Sequence, residues 1–319
     1  MGDSLAAWCK RGGALRRMLY YVIFLAGRLR DLRHAAGADA VIVFRAMFPV
    51  GPPWLERIAR FLNTNLIFDF DDAVHLRPPF ATQGYRWVNL DSPIRTLRMA
   101  RAAVVGSPWL EEFALRHCAR VVVIPSCLDT ARYSPRTESA GKPLVIGWIG
   151  SRSGFTYLHA LDDVWRELHR RHGTLFRVVS NGEYRADGFE IENVAWSLEG
   201  EVAALQSFDI GVMPLSDTPF ERGKAGFKLL QCMAVGVPAV ASPIGVNQEI
   251  AGNEQSGAQL RALLASTSEG WTAALERLIA DPALRRRMGE AGRAHVLKHY
   301  DIGCAVNAWD ALLREVAGK

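Results

Sequence analysis

The sequence has few cysteines, no long apolar run and no dinucleotide fingerprint, and each absence argues against a class of protein. Its five cysteines are scattered singly, without a CxxC pair, which predicts free thiols in a reducing cytosol and no zinc site. The first apolar run, residues 18–26, is far shorter than the ~20 residues that span a bilayer. It also lacks the small-residue cleavage site of a signal peptide. No GxGxxG opens a βαβ unit, which argues against a dinucleotide oxidoreductase.

Positive charge is concentrated near the start of the chain. The net charge of +5 lies entirely within residues 1–35, where basic side chains flank the apolar run. Such a segment is typical of a helix on an anionic membrane surface, where each well-placed cation adds ~1 kcal/mol. The alternative is an ordinary solvated first helix, because the apolar residues surround it on nearly all sides. No known nucleic-acid-binding motif accompanies the charge, so we expect no nucleic-acid partner. The basic residues are Lys10, Arg11, Arg16, Arg17, Arg28, Arg30 and Arg33.

The order of apolar segments predicts an α/β protein. Hydrophobic residues make up 49% of the chain and charged residues 22%, as in globular domains. Short β-rich segments alternate with helical ones, which indicates βαβ units and parallel sheets. The predicted strands are 40–44, 65–70, 102–105, 120–124, 144–149, 175–180, 210–213 and 239–241. The predicted helices include 53–62, 92–100, 157–172, 228–235 and a final helical stretch, 281–316.

A polar segment, residues 125–142, separates two groups of four predicted strands. Because it contains Pro135 and Gly141, it is typical of an inter-domain linker. The sequence therefore predicts two Rossmann-like domains that face each other across a cleft, with ligands at the carboxyl ends of the strands. The predicted bounds are 1–135 for the N-terminal domain, 136–142 for the linker, 143–290 for the C-terminal domain and 291–319 for a helix that crosses back.

Two glycine turns are candidate phosphate sites. In the first, VIGWIGSRSG, an apolar strand runs into Gly150, Ser151 and Arg152 before a helix. Glycines there let backbone N–H groups approach a phosphate at a helix N-terminus, and Arg152 adds a charge-assisted hydrogen bond. A tight turn that needs glycine only for its geometry explains the same residues.

The second turn, in FERGKAGFKLLQCMAVGVP (Phe220–Pro238), is richer in cations. Gly223, Lys224 and Gly226 open a helix that carries Lys228, so cations and free backbone donors meet at its positive end. Gln231 lies one turn further on, where its amide can hold ribose hydroxyls. The alternative for each residue is structural, with Lys224 merely capping a loop and Gln231 merely packing.

This second segment, continued through AVASPIGVNQEI, resembles the signature of group 1 nucleotide-sugar glycosyltransferases, which have the GT-B fold and are mostly retaining. The resemblance extends to FDIGVMPL (Phe208–Leu215), VVVIPSCLDTARYSP (Val121–Pro135) and RRRMGEAGRAHVLKHY (Arg285–Tyr300). It implies that the donor's diphosphate, sugar and ribose bind at one set of residues. These are Gly150, Ser151, Gly223, Gly226, Phe227, Lys228 and Gln231.

The sequence departs from the family's usual pattern at two points. Gly223 and Gln231 stand where many members have two glutamates, and the usual Arg-x(4)-Lys pair is reduced to Arg152, with Lys224 as the replacement cation. Relatives with a GK-x-GFK-x-LQ-x-MA pattern share both changes. We therefore expect weakened but intact nucleotide binding, because a neutral acceptor forms a weaker hydrogen bond than a charged one.

Carboxylates at a strand end in FDFDDAVHL (Phe68–Leu76) are the acceptor-side candidates. Asp69, Asp71, Asp72 and His75 can orient acceptor hydroxyls or tune a proton acceptor, or cap the next helix. Alternation along the strand makes Asp71 the first choice, so the candidate catalytic residues are Asp71, Lys224 and Arg152. The family's glycine-rich first strand is missing, so the acceptor domain is expected to be abbreviated.

The sequence thus predicts a cytoplasmic glycosyltransferase, peripheral on the inner face of the membrane, that uses a nucleotide-sugar donor. The acceptor is a glycan, a lipid-linked group or a small molecule. Neither a metal nor a cofactor is expected, because Lys224, Arg152 and backbone amides can stabilise the leaving diphosphate. The alternative is a non-catalytic sugar-nucleotide-binding or partner-dependent subunit with a degenerate acceptor domain.

Overall fold

A computed structural model describes residues 13–48, 50–81, 88–137, 143–252 and 259–319. It contains two parallel sheets with helices packed on them, the GT-B arrangement of two Rossmann-like domains that the sequence predicts. Two parts of the sequence predictions lie outside the described residues. These are Lys10 and Arg11 of the basic segment, and residues 138–142 of the linker.

The N-terminal sheet has four parallel strands in the order β1-β2-β3-β4. Its core is apolar, since β2 and β3 are rich in Leu, Ile, Phe, Ala and Val and are buried almost throughout, as parallel sheets covered on both faces require. The strands are β1 Val41–Phe44, β2 Leu66–Phe70, β3 Ala102–Val105 and β4 Val121–Val123. The helices are α1 Ala14–Leu32, α2 Trp54–Leu62, α3 Ser92–Met99 and α4 Pro108–Leu115.

The C-terminal sheet has six parallel strands in the order β10-β9-β8-β5-β6-β7. The reversal of strand order beside β5 creates the position at which open α/β sheets bind ligands. The strands are β5 Val145–Ile149, β6 Leu175–Ser180, β7 Ile191–Ala195, β8 Ile210–Met213, β9 Ala239–Ala241 and β10 Ala262–Leu264. The helices are α5 Phe155–His159, α6 Asp162–His172, α7 Glu201–Gln206, α8 Pro219–Arg222, α9 Phe227–Ala234, α10 Asn247–Ala251, α11 Ser268–Ala280, α12 Pro282–His299 and α13 Ile302–Ala317.

All eight predicted strands form within a residue of their predicted bounds, but β7 and β10 were not predicted. β7 lies at the sheet edge, where its side chains are partly exposed, so its sequence IENVA lacks the apolar character of a buried strand. β10 has only three residues. The predicted helix 157–172 is divided between α5 and α6, and the final helical stretch breaks at Tyr300 and Asp301.

The break at Tyr300 lies beside the first crossing between the domains. Leu128 N donates to Tyr300 O at 2.8 Å, and Ile302 N donates to Leu128 O at 2.8 Å. Beyond the break, α13 packs on the N-terminal sheet, where Leu312 and Val316 join a buried cluster with Ile67. The predicted boundary at residues 290 and 291 falls inside α12. None of the helices within the described ranges combines the length and the hydrophobicity needed to cross a bilayer.

Candidate active site

The turn after β5 is built around Gly150. A methyl group at this position would lie 2.6 Å from Cε of Lys228 and 2.7 Å from the Trp148 ring, so no larger residue fits without moving them. The hydroxyls of Ser151 and Ser153 lie 2.7 Å apart. Arg152 N donates to Asn181 Oδ1 at 2.9 Å, which fixes the turn. The Lys228 side chain therefore lies across the glycine turn at the carboxyl end of β5.

Two lysines flank the start of α9. Lys228 Nζ lies 5.9 Å from the Trp148 ring centroid and Lys224 Nζ lies 5.1 Å from that of Phe220. Within the described parts of the chain, neither ammonium forms an ion pair or a hydrogen bond. Burial lowers the pKa of Lys228 to about 8, and the nearby charge of Lys224 acts in the same direction. Because neither ammonium is paired with a carboxylate in the described residues, the two lysines form a region of positive charge at the start of α9.

Backbone geometry exposes further donors at this helix end. Gly226 precedes α9 with φ +69°, a left-handed conformation that favours glycine. A methyl group there would also lie 2.6 Å from Cδ1 of Ile250. The first N–H groups of a helix have no intrahelical acceptor, so those of Phe227 and Lys228 are available to an anion. Phe227 itself is exposed.

A buried carboxylate that was not predicted from the sequence stabilises the loop that carries Lys224. Glu221 is fully buried and accepts hydrogen bonds from the hydroxyls of Tyr157 and Thr218. Lys224 N donates to Glu221 O at 3.0 Å. Glu221 therefore links the loop to α5 beside the Gly150 turn. In the sequence, Glu221 is only an acidic residue next to the glycine loop. Nothing in the sequence distinguishes such a buried carboxylate from one exposed to solvent.

The same loop contacts the N-terminal domain. A methyl group on Gly223 would lie 3.1 Å from Cβ of Ala73, and Ser107 Oγ donates to Gly223 O at 3.4 Å. The Phe80 and Phe220 rings meet edge to face, with centroids 5.9 Å apart. Gly223 is therefore at the junction of the two domains, where a side chain would fit only if Ala73 moved by a few tenths of an ångström.

Gln231 lies inside the C-terminal domain and is only 4% exposed. Its Nε2 donates to the Tyr133 hydroxyl at 3.4 Å, which in turn donates to Glu201 Oε1 at 2.7 Å. Glu201 Oε2 accepts from Trp196 Nε1 at 2.9 Å. Burial raises the pKa of Tyr133 to about 12, so its hydroxyl stays protonated. One N–H of the Gln231 amide is thus used internally, and the carbonyl oxygen is the atom that can accept from a ligand.

Across the junction, Arg45 holds two of the predicted carboxylates together. Its Nε donates to Asp71 Oδ1 at 2.9 Å, and its Nη2 donates to Asp72 Oδ2 at 2.7 Å. Arg45 follows β1 and, among the described residues, is the one non-glycine residue with a positive φ, +57°. Such strained backbone is enriched at functional sites. Arg45 was not singled out from the sequence.

The carboxylates differ in environment. Burial raises the pKa of Asp69 to about 6, with the charge of Asp71 adding to the effect. The charge of Asp72 acts on Lys228 and Tyr157 of the other domain: it opposes the effect of burial on the pKa of Lys228 and adds to that effect on the pKa of Tyr157. Asp72 is therefore the carboxylate of this group whose charge reaches the donor side. Alternation along the strand had made Asp71 the first choice.

His75 lies apart from the carboxylates. Its ring stacks on Phe113, with centroids 3.5 Å apart, and lies 6.0 Å from the Trp109 ring. Burial lowers the pKa of His75 to about 4, so it is neutral at physiological pH. Among the described residues, no group of three His, Cys, Asp or Glu side chains has the arrangement of a metal site.

The structure thus brings together most of the predicted site. Gly150, Ser151, Lys224, Gly226, Phe227 and Lys228 surround one end of α9, with Arg152 in the turn beside them and Gly223 at the domain junction. Asp69, Asp71 and Asp72 stand on the opposite domain. Gln231 is turned into the interior of its domain, and His75 stacks on Phe113 apart from the carboxylates.

Residues 143–281, which contain both glycine turns and both lysines, match the family model of group 1 glycosyl transferases. The family predicted from the sequence is therefore confirmed for the C-terminal domain. No curated protein sequence matches the chain significantly.

Solved structures with the same fold cover both domains. Sucrose-phosphate synthase from Thermosynechococcus elongatus has a TM-score of 0.67 at 15% identity, over 91% of this chain and 77% of that one. HepE from Anabaena, solved with UDP and glucose, has a TM-score of 0.66 at 13% identity, over 89% and 80%. A glycosyltransferase from Rickettsia africae has a TM-score of 0.67 at 12% identity, over 96% and 88%. These identities show a shared fold.

Proposed function

We propose that this glycosyltransferase takes its sugar from a nucleoside diphosphate donor and transfers it with retention to an acceptor hydroxyl. The observation that carries the proposal is the pair Lys224 and Lys228, which have no carboxylate partner in the described ranges and flank the free N–H groups of α9 beside the Gly150 turn. Unmatched cations and free backbone donors are the groups that bind a diphosphate.

The proposed reaction exchanges one bond at the anomeric carbon. The acceptor oxygen bonds to that carbon as its bond to the β-phosphate oxygen breaks, and the electron pair of the broken bond goes to the leaving diphosphate. The departing oxygen takes the acceptor's proton on the same face, so the configuration is retained. Positioning and electrostatic stabilisation by Lys224, Lys228 and Arg152 then supply the catalysis. No metal or organic cofactor has a part in this proposal.

On the acceptor side, we assign the carboxylates held by Arg45. Asp71 and Asp72 are half-buried, and carboxylates in that setting can accept hydrogen bonds from sugar hydroxyls. The action of Asp72 on Lys228 supports a location close to the donor sugar. HepE, which has the same fold, has been solved with UDP-glucose, and a uridine nucleotide is therefore the first donor to test.

We also propose that the protein works at the inner face of a membrane through α1. Met18, Val22 and Leu15 are more than half exposed on this helix, and Arg30 and Arg33 are exposed at its end. Apolar side chains and cations on one exposed helix suit an anionic bilayer surface. Cys118, Cys127, Cys232 and Cys304 are free thiols, which supports a reducing compartment such as the cytosol.

The donor proposal is tested by thermal shift with a panel of nucleoside diphosphates. A ligand that binds the folded state increases the free energy of unfolding by RT ln(1 + [L]/Kd) and therefore raises Tm. We expect one base to give the largest shift. Hydrolysis of the matching nucleotide sugar without acceptor then separates the enzyme from a non-catalytic sugar-nucleotide-binding subunit. Stabilisation without any turnover would favour the subunit, and the absence of stabilisation by every nucleotide would contradict the donor proposal.

The membrane proposal is tested by sedimentation with vesicles. Binding to anionic vesicles should weaken as salt rises towards 0.5 M, because the screening length falls to a few Å. Arg30→Glu should weaken it further, whereas Arg116→Glu, which alters an exposed arginine on α4, should not. Equal binding to neutral vesicles, or none to either, would remove α1 from a membrane role.

A further inference from the structure

An exposed indole lies at the carboxyl edge of the C-terminal sheet. Of the tryptophans that the structure describes, Trp196 is the most exposed, at 46%. It follows β7 directly, and its backbone N donates to Ser180 O at 3.0 Å, which extends the pairing of β6 with β7. Within the described ranges, no other aromatic ring stacks on the indole and no cation lies over it. A large apolar face is therefore open to a ligand.

A single exposed apolar residue is ordinary on a protein surface, but this indole is also held in one orientation. Its Nε1 donates to Glu201 Oε2 at 2.9 Å. Glu201 is buried, with 9% of its surface exposed, and it begins α7. The indole N–H is the one hydrogen-bonding group of a tryptophan side chain. Because Glu201 already accepts from it, Trp196 can offer a ligand only the face of its ring.

The same carboxylate connects Trp196 to Gln231. The Tyr133 hydroxyl donates to Glu201 Oε1 at 2.7 Å and accepts from Gln231 Nε2 at 3.4 Å. Three successive hydrogen bonds therefore join the exposed indole to the residue that is predicted to contact the donor ribose. In a nucleotide the base is bonded directly to the ribose. A base whose ribose lies beside Gln231 is thus within reach of Trp196.

The sheet also places Trp196 on the same edge as the Gly150 turn. Strands β5, β6 and β7 are adjacent and parallel, so the residues that follow their carboxyl ends meet at one edge. Arg152 N donates to Asn181 Oδ1 at 2.9 Å, which joins the turn after β5 to the loop after β6. Two strand spacings, roughly 10 Å, separate Gly150 from Trp196. The α-phosphate and ribose of a nucleotide can bridge that distance.

We propose that the nucleobase of the donor stacks on the indole of Trp196. The proposal deepens the proposed function and rests on it, because it names the contact made by the base of the same donor. Every base has a π face, so stacking on an aromatic ring accepts all of them. Trp196 therefore contributes affinity for the nucleotide and leaves the choice of base to other groups.

The test is calorimetric titration of the full chain with uridine diphosphate, guanosine diphosphate and inorganic pyrophosphate. Trp196→Ala should weaken nucleotide binding by ~5- to 150-fold, the range for one base on an aromatic ring, and should leave pyrophosphate binding within about twofold. Trp196→Phe keeps an aromatic face and should bind the nucleotides at least about threefold more tightly than Trp196→Ala. The control is Leu264→Ala, which shortens an exposed apolar residue at the end of the opposite edge strand, β10, and should change neither affinity.

Unchanged affinity of Trp196→Ala for the nucleotides that the parent binds would overturn the proposal. So would equal losses in Trp196→Phe and Trp196→Ala, because the hydrogen bond to Glu201, and not the ring face, would then be responsible. A matching loss of pyrophosphate affinity in Trp196→Ala would also contradict it, since the variant would have disturbed the phosphate site. If the parent binds pyrophosphate as tightly as both nucleotides, the stacking proposal alone fails. If the parent binds none of the three ligands, the donor proposal fails instead.

Discussion

The Lys228 side chain lies across Gly150, so that a methyl group at position 150 would come within 2.6 Å of Lys228 Cε. Gly150 and Lys228, which lie in two separate motifs of the sequence, thus form one surface. The absence of a side chain at position 150 is needed for the lysine beside it.

Gly150→Ala should displace Lys228 and the Trp148 ring, because both lie closer than van der Waals contact allows. We expect nucleoside diphosphate affinity to fall about tenfold and stability to fall by ~1–3 kcal/mol from overpacking. Calorimetry and denaturant unfolding measure the two effects. The control is Gly270→Ala, where the nearest atom outside the immediate neighbours is 3.4 Å away. Unchanged affinity in Gly150→Ala would separate Lys228 from the diphosphate.

Diphosphate affinity should depend on the charge of Lys228. Its pKa in the free protein is lowered to about 8, so the ammonium loses its proton as pH rises through 8. Affinity for a nucleoside diphosphate should be highest below that pH and should fall about tenfold per unit above it. Without ligand, the free energy of unfolding should rise as pH increases from 8 to 10.5. Over that range the unfolded chain binds more protons than the folded one, because Lys228 has its ordinary pKa only when unfolded.

Lys228→Met supplies the control for that pH profile. It should bind the diphosphate weakly at pH 7 and show a flat affinity between pH 7 and 9. A profile identical to that of the parent would assign the titration to another group.

Lys224→Ala should lower kcat/KM by ~10²-fold, a loss of ~2.7 kcal/mol in transition-state stabilisation, with the fold intact. The reason is that Lys224 has no partner in the described structure other than the face of Phe220, so its charge is available to the leaving diphosphate. Arg222→Ala is the matched control, because this nearby cation is exposed and already paired with Asp217 at 2.7 Å. Rates within threefold of the parent would remove Lys224 from the site.

The contact between Gln231 and the donor ribose stays a prediction. Because one N–H of the Gln231 amide already donates to the Tyr133 hydroxyl, we expect a ribose hydroxyl to donate to the carbonyl oxygen of Gln231. Gln231→Leu should then weaken binding of the nucleoside diphosphate by ~1–3 kcal/mol and leave inorganic pyrophosphate unaffected. Gln231→Glu should bind the nucleotide as well or up to ~1 kcal/mol better. Normal binding of both ligands by the leucine variant would make Gln231 a packing residue.

The sequence predicts the fold well because both sheets are buried, and buried parallel strands are marked by continuous apolar runs. β7 was not predicted because an edge strand needs no continuous apolar run. The glycine turns were predicted because the residues that mark each turn are contiguous in the sequence. The contact between Arg45 and Asp71 could not be predicted from local sequence. It forms because β1 pairs with β2 in a register that places Phe44 opposite Asp69. The burial of Glu221 likewise depends on a tertiary contact, with Tyr157, which is 64 residues away in the sequence.

The hydrogen bonds that join Leu128 to Tyr300 and Ile302 have a consequence for how the enzyme opens. The polypeptide passes between the domains at two points, and these hydrogen bonds hold the two connecting segments side by side. A rotation of one domain about these two segments would change only a few backbone dihedrals, as hinge motions do. Such a rotation would part Gly223 from Ala73 and break the hydrogen bond from Ser107 Oγ to Gly223 O. The loop that carries Lys224 would then leave the N-terminal domain as the domains open and return as they close.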